Sequence, residues 1–260
     1  MHPTFSCQMA GGFNTFSPML SAKPWRAEAV LQFCGAQLLC FCLGLTIAGL
    51  LQKAGLAAFQ PPDGIGAVLL GTLGFQGVAW LLILFFLRQH QVGWREALGV
   101  CGPQLPRALL LALLFAIAIL PVAWGLQFIS MDALTRAGWP PEEQIAVTLL
   151  AGAKSWWLRV YLGAFAVVLA PVAEEFIFRG MLYPFVKQLG SPRYALFGIN
   201  AIFALIHLDA GTLVPLFVLA LALTWLYEKT DNLLAPIAAH ALFNASNLAL
   251  LLWQNRPAHA

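Results

Sequence analysis

The chain has 260 residues, of which 60% are hydrophobic and only 10% charged, with a formal net charge of +3. Soluble domains carry roughly 25% charged residues. The composition therefore excludes an ordinary soluble globule and points to an all-α, polytopic membrane bundle. The small positive balance, with no basic patch interleaved with aromatics, gives no sign of a nucleic-acid partner. The five cysteines contain no CxxC pair, and Cys34, Cys40 and Cys42 share one apolar run, so neither a disulfide framework nor a thiolate metal site is expected.

In chain order, residues 1–26 form a polar tail without the character of a cleavable signal. A spanning helix needs about 20 apolar residues, and about seven runs (6–8) approach that length. They are Ala29 to Leu51, Ile65 to Leu87, Leu105 to Ile129, Trp157 to Leu189, Arg193 to Leu208, Leu213 to Tyr227 and Leu233 to Trp253. Between the third and fourth, Pro140 and Pro141 followed by Glu142 and Glu143 make a helix start, with proline in the first turn and acids near the positive dipole end. A short interfacial helix is expected there, with Trp156 and Trp157 at headgroup level; a plain connecting loop is the alternative. Lys and Arg collect on the cytoplasmic side. Placing the N-terminus inside puts Lys23, Arg26, Arg88, Arg95, Arg107, Lys187, Arg193 and Lys229 there, against Lys53, Arg136, Lys154, Arg159 and Arg256 outside.

The fourth run contains APVAEEFIFRG, with three ionisable residues at membrane depth. An ionisable group there costs about 2.5–3.5 kcal/mol on insertion scales and usually serves a function. Glu175 and Arg179 are four apart in the order that favours a helical ion pair. Glu174, its neighbour, projects about 100° away and is left as a candidate general base. His207 follows Phe203 by one turn near the end of the fifth run, with Asn200 about two turns before it. His240 and Asn244 share one face of the seventh, with Asn247 one turn on. Counted at about 1.5 Å per residue from the ends placed inside, Glu174, His207, His240 and Asn244 lie roughly 13–22 Å deep. The expectation is one polar active-site cavity within the bilayer.

Two chemistries fit these residues. In one, Glu174, His207 and His240 hold zinc or another divalent metal, which lowers the pKa of a bound water. In the other no metal is needed: Glu174 activates the water, while His240 and Asn244 stabilise an oxyanion. Both hydrolyse an amide bond. The helical HExxH pattern of ordinary metalloproteases is absent. Asp209 is expected to cap the turn after His207, and Pro171 to kink the fourth helix and free a backbone carbonyl for a neighbouring helix. His2, His90 and His259 lie in tails or a loop and carry no functional expectation.

EEFIFR, FALIH and HALFN resemble, in order, the EExxxR, FxxxH and HxxxN motifs of the CAAX-protease and bacteriocin-processing family of intramembrane proteases. This family is also called CPBP or Abi, or type II CAAX prenyl endopeptidases. The resemblance spans about Pro141 to Trp253. It implies that Glu174 is the catalytic glutamate, that Glu175 pairs with Arg179, and that His207, His240 and Asn244 complete the site. Members have been described both as metalloproteases and as glutamic proteases. The resemblance implies an endopeptidase in the bilayer of a bacterial cytoplasmic membrane, acting on a membrane protein or peptide, lipidated or not. An immunity or regulatory scaffold of the same family is the alternative. A proton- or ion-coupled transporter would use similar charges, but the matching repeats such proteins often carry are not visible. The expected organisation is the tail 1–26, three helices over 27–140, a catalytic domain over 141–253 and a tail 254–260.

Overall fold

The computed structural model describes residues 20–60, 73–100, 104–139 and 155–254, together with Gly66, Leu70, Gly71, Leu150 and Gly152. The expected interfacial helix after Pro140 lies outside the described residues, as do most of the N-terminal tail and the end of the C-terminal one. Among the described residues the secondary structure is helical, without strands. Five helices are long and apolar enough to cross a membrane: α1 (Ala27–Lys53), α3 (Leu105–Arg136), α4 (Trp156–Gln188), α6 (Leu213–Thr230) and α7 (Leu234–Gln254). The protein is thus an integral membrane helical bundle. Among the shorter helices are α2 (Gly74–Gln89) and α5, residues 192–205. At about 1.5 Å per residue α5 is some 20 Å long, short of a hydrocarbon core of about 30 Å. The expectation that residues 193–208 span the bilayer is corrected here. The helix stops at Leu205, and Leu208 turns into the left-handed region at φ 53°.

The chain divides into two compact units, Lys23–Trp94 and Arg95–Ala260, the latter joined by residues 1–22. In the first, Phe33 of α1 meets Phe86 of α2 edge-on at 6.0 Å, and the Gln37 side chain donates to the Phe75 carbonyl at 2.8 Å. His90 closes this unit: its Nε2 accepts the Arg26 backbone N–H at 3.0 Å, and its Nδ1 bonds the Phe86 carbonyl. This is a structural task, as the sequence suggested.

In the second unit α3, α6 and α7 pack around one apolar core. Ala108, Ala112, Ile119 and Ala123 meet Leu219, Leu223 and Leu226 of α6 and Ala235, Ala239 and Phe243 of α7. Intervals of three and four put each set on one helical face. The alanines matter because lipid is as apolar as leucine: membrane helices associate by close packing, which small side chains permit. So α3, counted with the N-terminal helices on sequence grounds, shares its core with the helices that carry the polar residues.

Helix α4 is not uniformly α-helical. It widens into π turns at Phe165–Leu169 and Phe176–Leu182, on either side of Glu174 and Glu175, and α5 has another at Ala195–Ile199. Such turns break the one-to-one hydrogen-bond register and recur at functional sites. Between α6 and α7, Asp231 takes a left-handed conformation (φ 43°). Asn232 then accepts the Leu234 N–H at 2.9 Å and donates to the Gly99 carbonyl at 2.8 Å. That tight turn fixes where α7 begins, and therefore where His240 lies.

Candidate active site

The Glu175–Arg179 pair forms as its four-residue spacing requires. Arg179 Nη1 donates to Glu175 Oε1 at 2.9 Å, and both side chains are fully buried. The rest of the guanidinium is held as well. Nη2 donates to the Ala220 carbonyl at 3.0 Å and to Asn200 Oδ1 at 3.4 Å, and Nε reaches Thr224 Oγ1 at 3.4 Å. The Phe203 ring lies 4.6 Å from the guanidinium carbon. A buried charge is tolerated only when its donors are satisfied, and here α4, α5 and α6 each supply acceptors.

Glu175 has a second partner that the sequence did not reveal. His240 Nδ1 lies 2.8 Å from the same Oε1. A carboxylate only accepts, so Nδ1 carries the proton. Nε2 is then the free nitrogen, and it faces Glu174, whose Oε2 is 3.9 Å away. That separation is too long for a hydrogen bond between the two. Glu174 also differs from its neighbour in exposure: its side chain is 15% accessible, against 0% for Glu175. One glutamate is locked inside the fold and the other borders open space.

His207 lies just past the end of α5. Its Nδ1 bonds the Phe203 carbonyl at 2.8 Å, an acceptor near the end of the helix, and its ring packs on Phe203 at 5.0 Å. The carbonyl again fixes the proton on Nδ1, so His207 also presents Nε2. Phe203 touches His240 too, at 5.9 Å between centroids, and is thus a common wall for both imidazoles and for Arg179. Asp209 caps the following turn as expected, accepting the Gly211 N–H at 2.8 Å and the Thr212 hydroxyl at 2.9 Å.

Asn244 lies one turn beyond His240, and its amide donates to the Ala166 carbonyl at 2.8 Å. In the π register, Ala170 N–H bonds Phe165, five residues back. The next donor in that register would be residue 171, a proline with no N–H. Pro171 thus has no N–H to offer the Ala166 carbonyl, and Asn244 of α7 donates to it.

Among the described residues no group of three or more His, Cys, Asp or Glu side chains is placed to hold a metal ion. Glu174 and His240 face each other, and His207 packs on Phe203, which also touches His240. Sequence reasoning also missed Thr224 and gave Asn200 no role. The available signal was that Thr224 is a hydroxyl inside the apolar stretch VLALALTWL.

Residues 154–246 match the family described as "Type II CAAX prenyl endopeptidase Rce1-like". The match covers all three motifs and bears out the resemblance drawn from them. The chain is also similar to the UPF0177 protein YxdF of Lactococcus lactis subsp. lactis (strain IL1403), with 27% identity over 88 residues, 32% of this chain and 48% of that protein. The chain thus spans about half the length of this curated relative. No solved structure matches it significantly.

Proposed function

We propose that this Rce1-like chain is an intramembrane endopeptidase that hydrolyses a peptide bond of a membrane-embedded or lipidated protein or peptide. The observation that carries this reading is the unlike state of two adjacent glutamates. Glu175 is buried and locked by Arg179 and His240, whereas Glu174 borders open space beside His240 Nε2. A general base must reach its water, and only Glu174 can do so.

In this scheme Glu174 takes a proton from water as the oxygen attacks the scissile carbonyl carbon. The carbonyl oxygen becomes an oxyanion. His240, with Nδ1 anchored on Glu175, donates from a protonated Nε2 to that oxygen. Asn244 spends one amide proton on Ala166 and has a second to offer. Such preplaced donors commonly provide a large share of catalysis. Collapse of the tetrahedral intermediate breaks the C–N bond, and Glu174 returns its proton to the leaving amine. No step runs through a metal.

The test is a profile of peptide termini from the membranes of the native host, comparing wild type with Glu174→Ala at equal expression. Uncleaved precursors that accumulate in the variant support the reading. Identical profiles would reject it in favour of a non-proteolytic regulatory or immunity role.

A further inference from the structure

We infer that Thr224 and Asn200 are positioning residues for His240, acting through Arg179 and Glu175. The inference rests on the reading of Glu174 and His240 as the reacting pair. It adds residues of α5 and α6 that none of the three motifs contains.

The chain of contacts is continuous. Thr224 Oγ1 donates to Asn200 Oδ1 at 2.9 Å, and Asn200 anchors its own amide on the Leu196 carbonyl at 2.6 Å. Those two oxygens receive Arg179 Nε and Nη2. Because the guanidinium is a rigid planar fork, fixing Nε and Nη2 also fixes the direction of Nη1. Nη1 holds Glu175 Oε1, and that oxygen holds the Nδ1 proton of His240. Thr224, Asn200, Arg179, Glu175 and His240 are all buried, the first four at 0–1% exposure. Water cannot easily replace a lost bond in such a site, and a buried network of this kind acts as a unit.

Glu175 depends heavily on these partners. Its Oε1 takes both bonds, and its Oε2 has no hydrogen-bond partner among the described residues. The carboxylate is held at one atom, so its orientation follows the guanidinium plane. If that plane tilts, Oε1 leaves Nδ1, and the imidazole is free to place its proton on Nε2 instead. The network therefore keeps one proton of His240 on Nδ1 whether the ring is neutral or protonated, so that Nε2, facing Glu174, is the atom that carries the second proton when the ring donates to the oxyanion. Thr224 also borders a cavity of about 480 Å³ lined by Leu196, Phe197, Leu221 and Trp225. Thr224→Val keeps the shape of this wall while removing the hydroxyl.

The test is nitrogen-15 spectroscopy of histidine-labelled protein in detergent, with the His240 signal assigned by its loss in His240→Gln. At a pH where the ring is neutral, wild type and Thr224→Ser should show the Nδ1–H tautomer alone. Thr224→Val and Asn200→Ala should show a mixture with the Nε2–H form, and either variant that accumulates as folded protein suffices. An unchanged signature in a folded Thr224→Val or Asn200→Ala protein overturns the inference. So does a mixed signature in Thr224→Ser, which keeps the hydroxyl. The readout needs no substrate, so it separates this inference from the protease reading. A Thr224-dependent tautomer with no Glu174-dependent cleavage leaves the positioning role standing and removes the enzyme. Glu174-dependent cleavage with an indifferent tautomer does the reverse.

Discussion

His240 is hydrogen-bonded to Glu175 and not to Glu174. Its Nδ1 stands 2.8 Å from Glu175 Oε1, while its Nε2 stands 3.9 Å from Glu174 Oε2. The second glutamate of the EExxxR motif therefore has two tasks, neutralising Arg179 and orienting the imidazole. In the scheme proposed above, the first is the general base.

Removing His240 should then lower turnover without unfolding the protein. Loss of one oxyanion donor costs about 10²–10³-fold in kcat, and His240→Ala should fall in that range once a substrate is in hand. Turnover within a factor of two of wild type would show that the imidazole is not at the reacting centre.

Arg179 and Glu175 should behave as stability residues. Each is fully buried, and deleting one strands the other's charge at a cost of about 3–5 kcal/mol. Thermal unfolding in detergent should place Arg179→Ala and Glu175→Ala well below wild type. Arg179→Lys should recover only part of the loss, because an ammonium cannot span Glu175, Asn200, Ala220 and Thr224 together. Unfolding of Arg179→Ala at the wild-type temperature would rule the network out as a structural anchor.

Asn244 should be coupled to Pro171. Asn244→Ala removes the side-chain donor to the part-buried Ala166 carbonyl, a loss of about 1 kcal/mol. Pro171→Ala restores an N–H in the π register and should offset part of it. A double-mutant cycle on unfolding temperatures, with amide exchange measured across residues 165–171, reads this directly. Strict additivity would mean that the two residues do not share the carbonyl.

Much of the site was legible in the sequence, because helices translate spacing into facing. EExxxR at an interval of four gave the Glu175–Arg179 pair and set Glu174 on another face, and the place of Asp209 just after His207 suggested its turn. The α3–α6–α7 core was not legible, since sequence grounds set α3 apart from the helices it packs on. What stayed hidden depends on contacts between helices. Nothing local to α4 shows that His240, 65 residues later, takes the second place on Glu175 Oε1. Likewise, Thr224 needs the packing of α6 on α4 before its hydroxyl means anything. The length of α5 was overestimated because FALIHL remains apolar after the helix has ended. Its last residues are held instead by the His207–Phe203 bond and the left-handed Leu208.

Metal removal gives a further check. In the scheme proposed above Glu174 activates water without a metal, so cleavage should survive dialysis against a chelator. Activity lost to the chelator and restored by zinc alone would require Glu174 and His240 to act as ligands.

The most direct test of the central claim is cleavage of a purified precursor, one that accumulates in Glu174→Ala membranes, by the protein in lipid nanodiscs and in water enriched in oxygen-18. If Glu174 activates water, the wild type should place one heavy oxygen in each new C-terminal carboxylate, and Glu174→Gln should be slower by about 10²–10⁴-fold. Cleavage by Glu174→Gln at the wild-type rate would contradict the account.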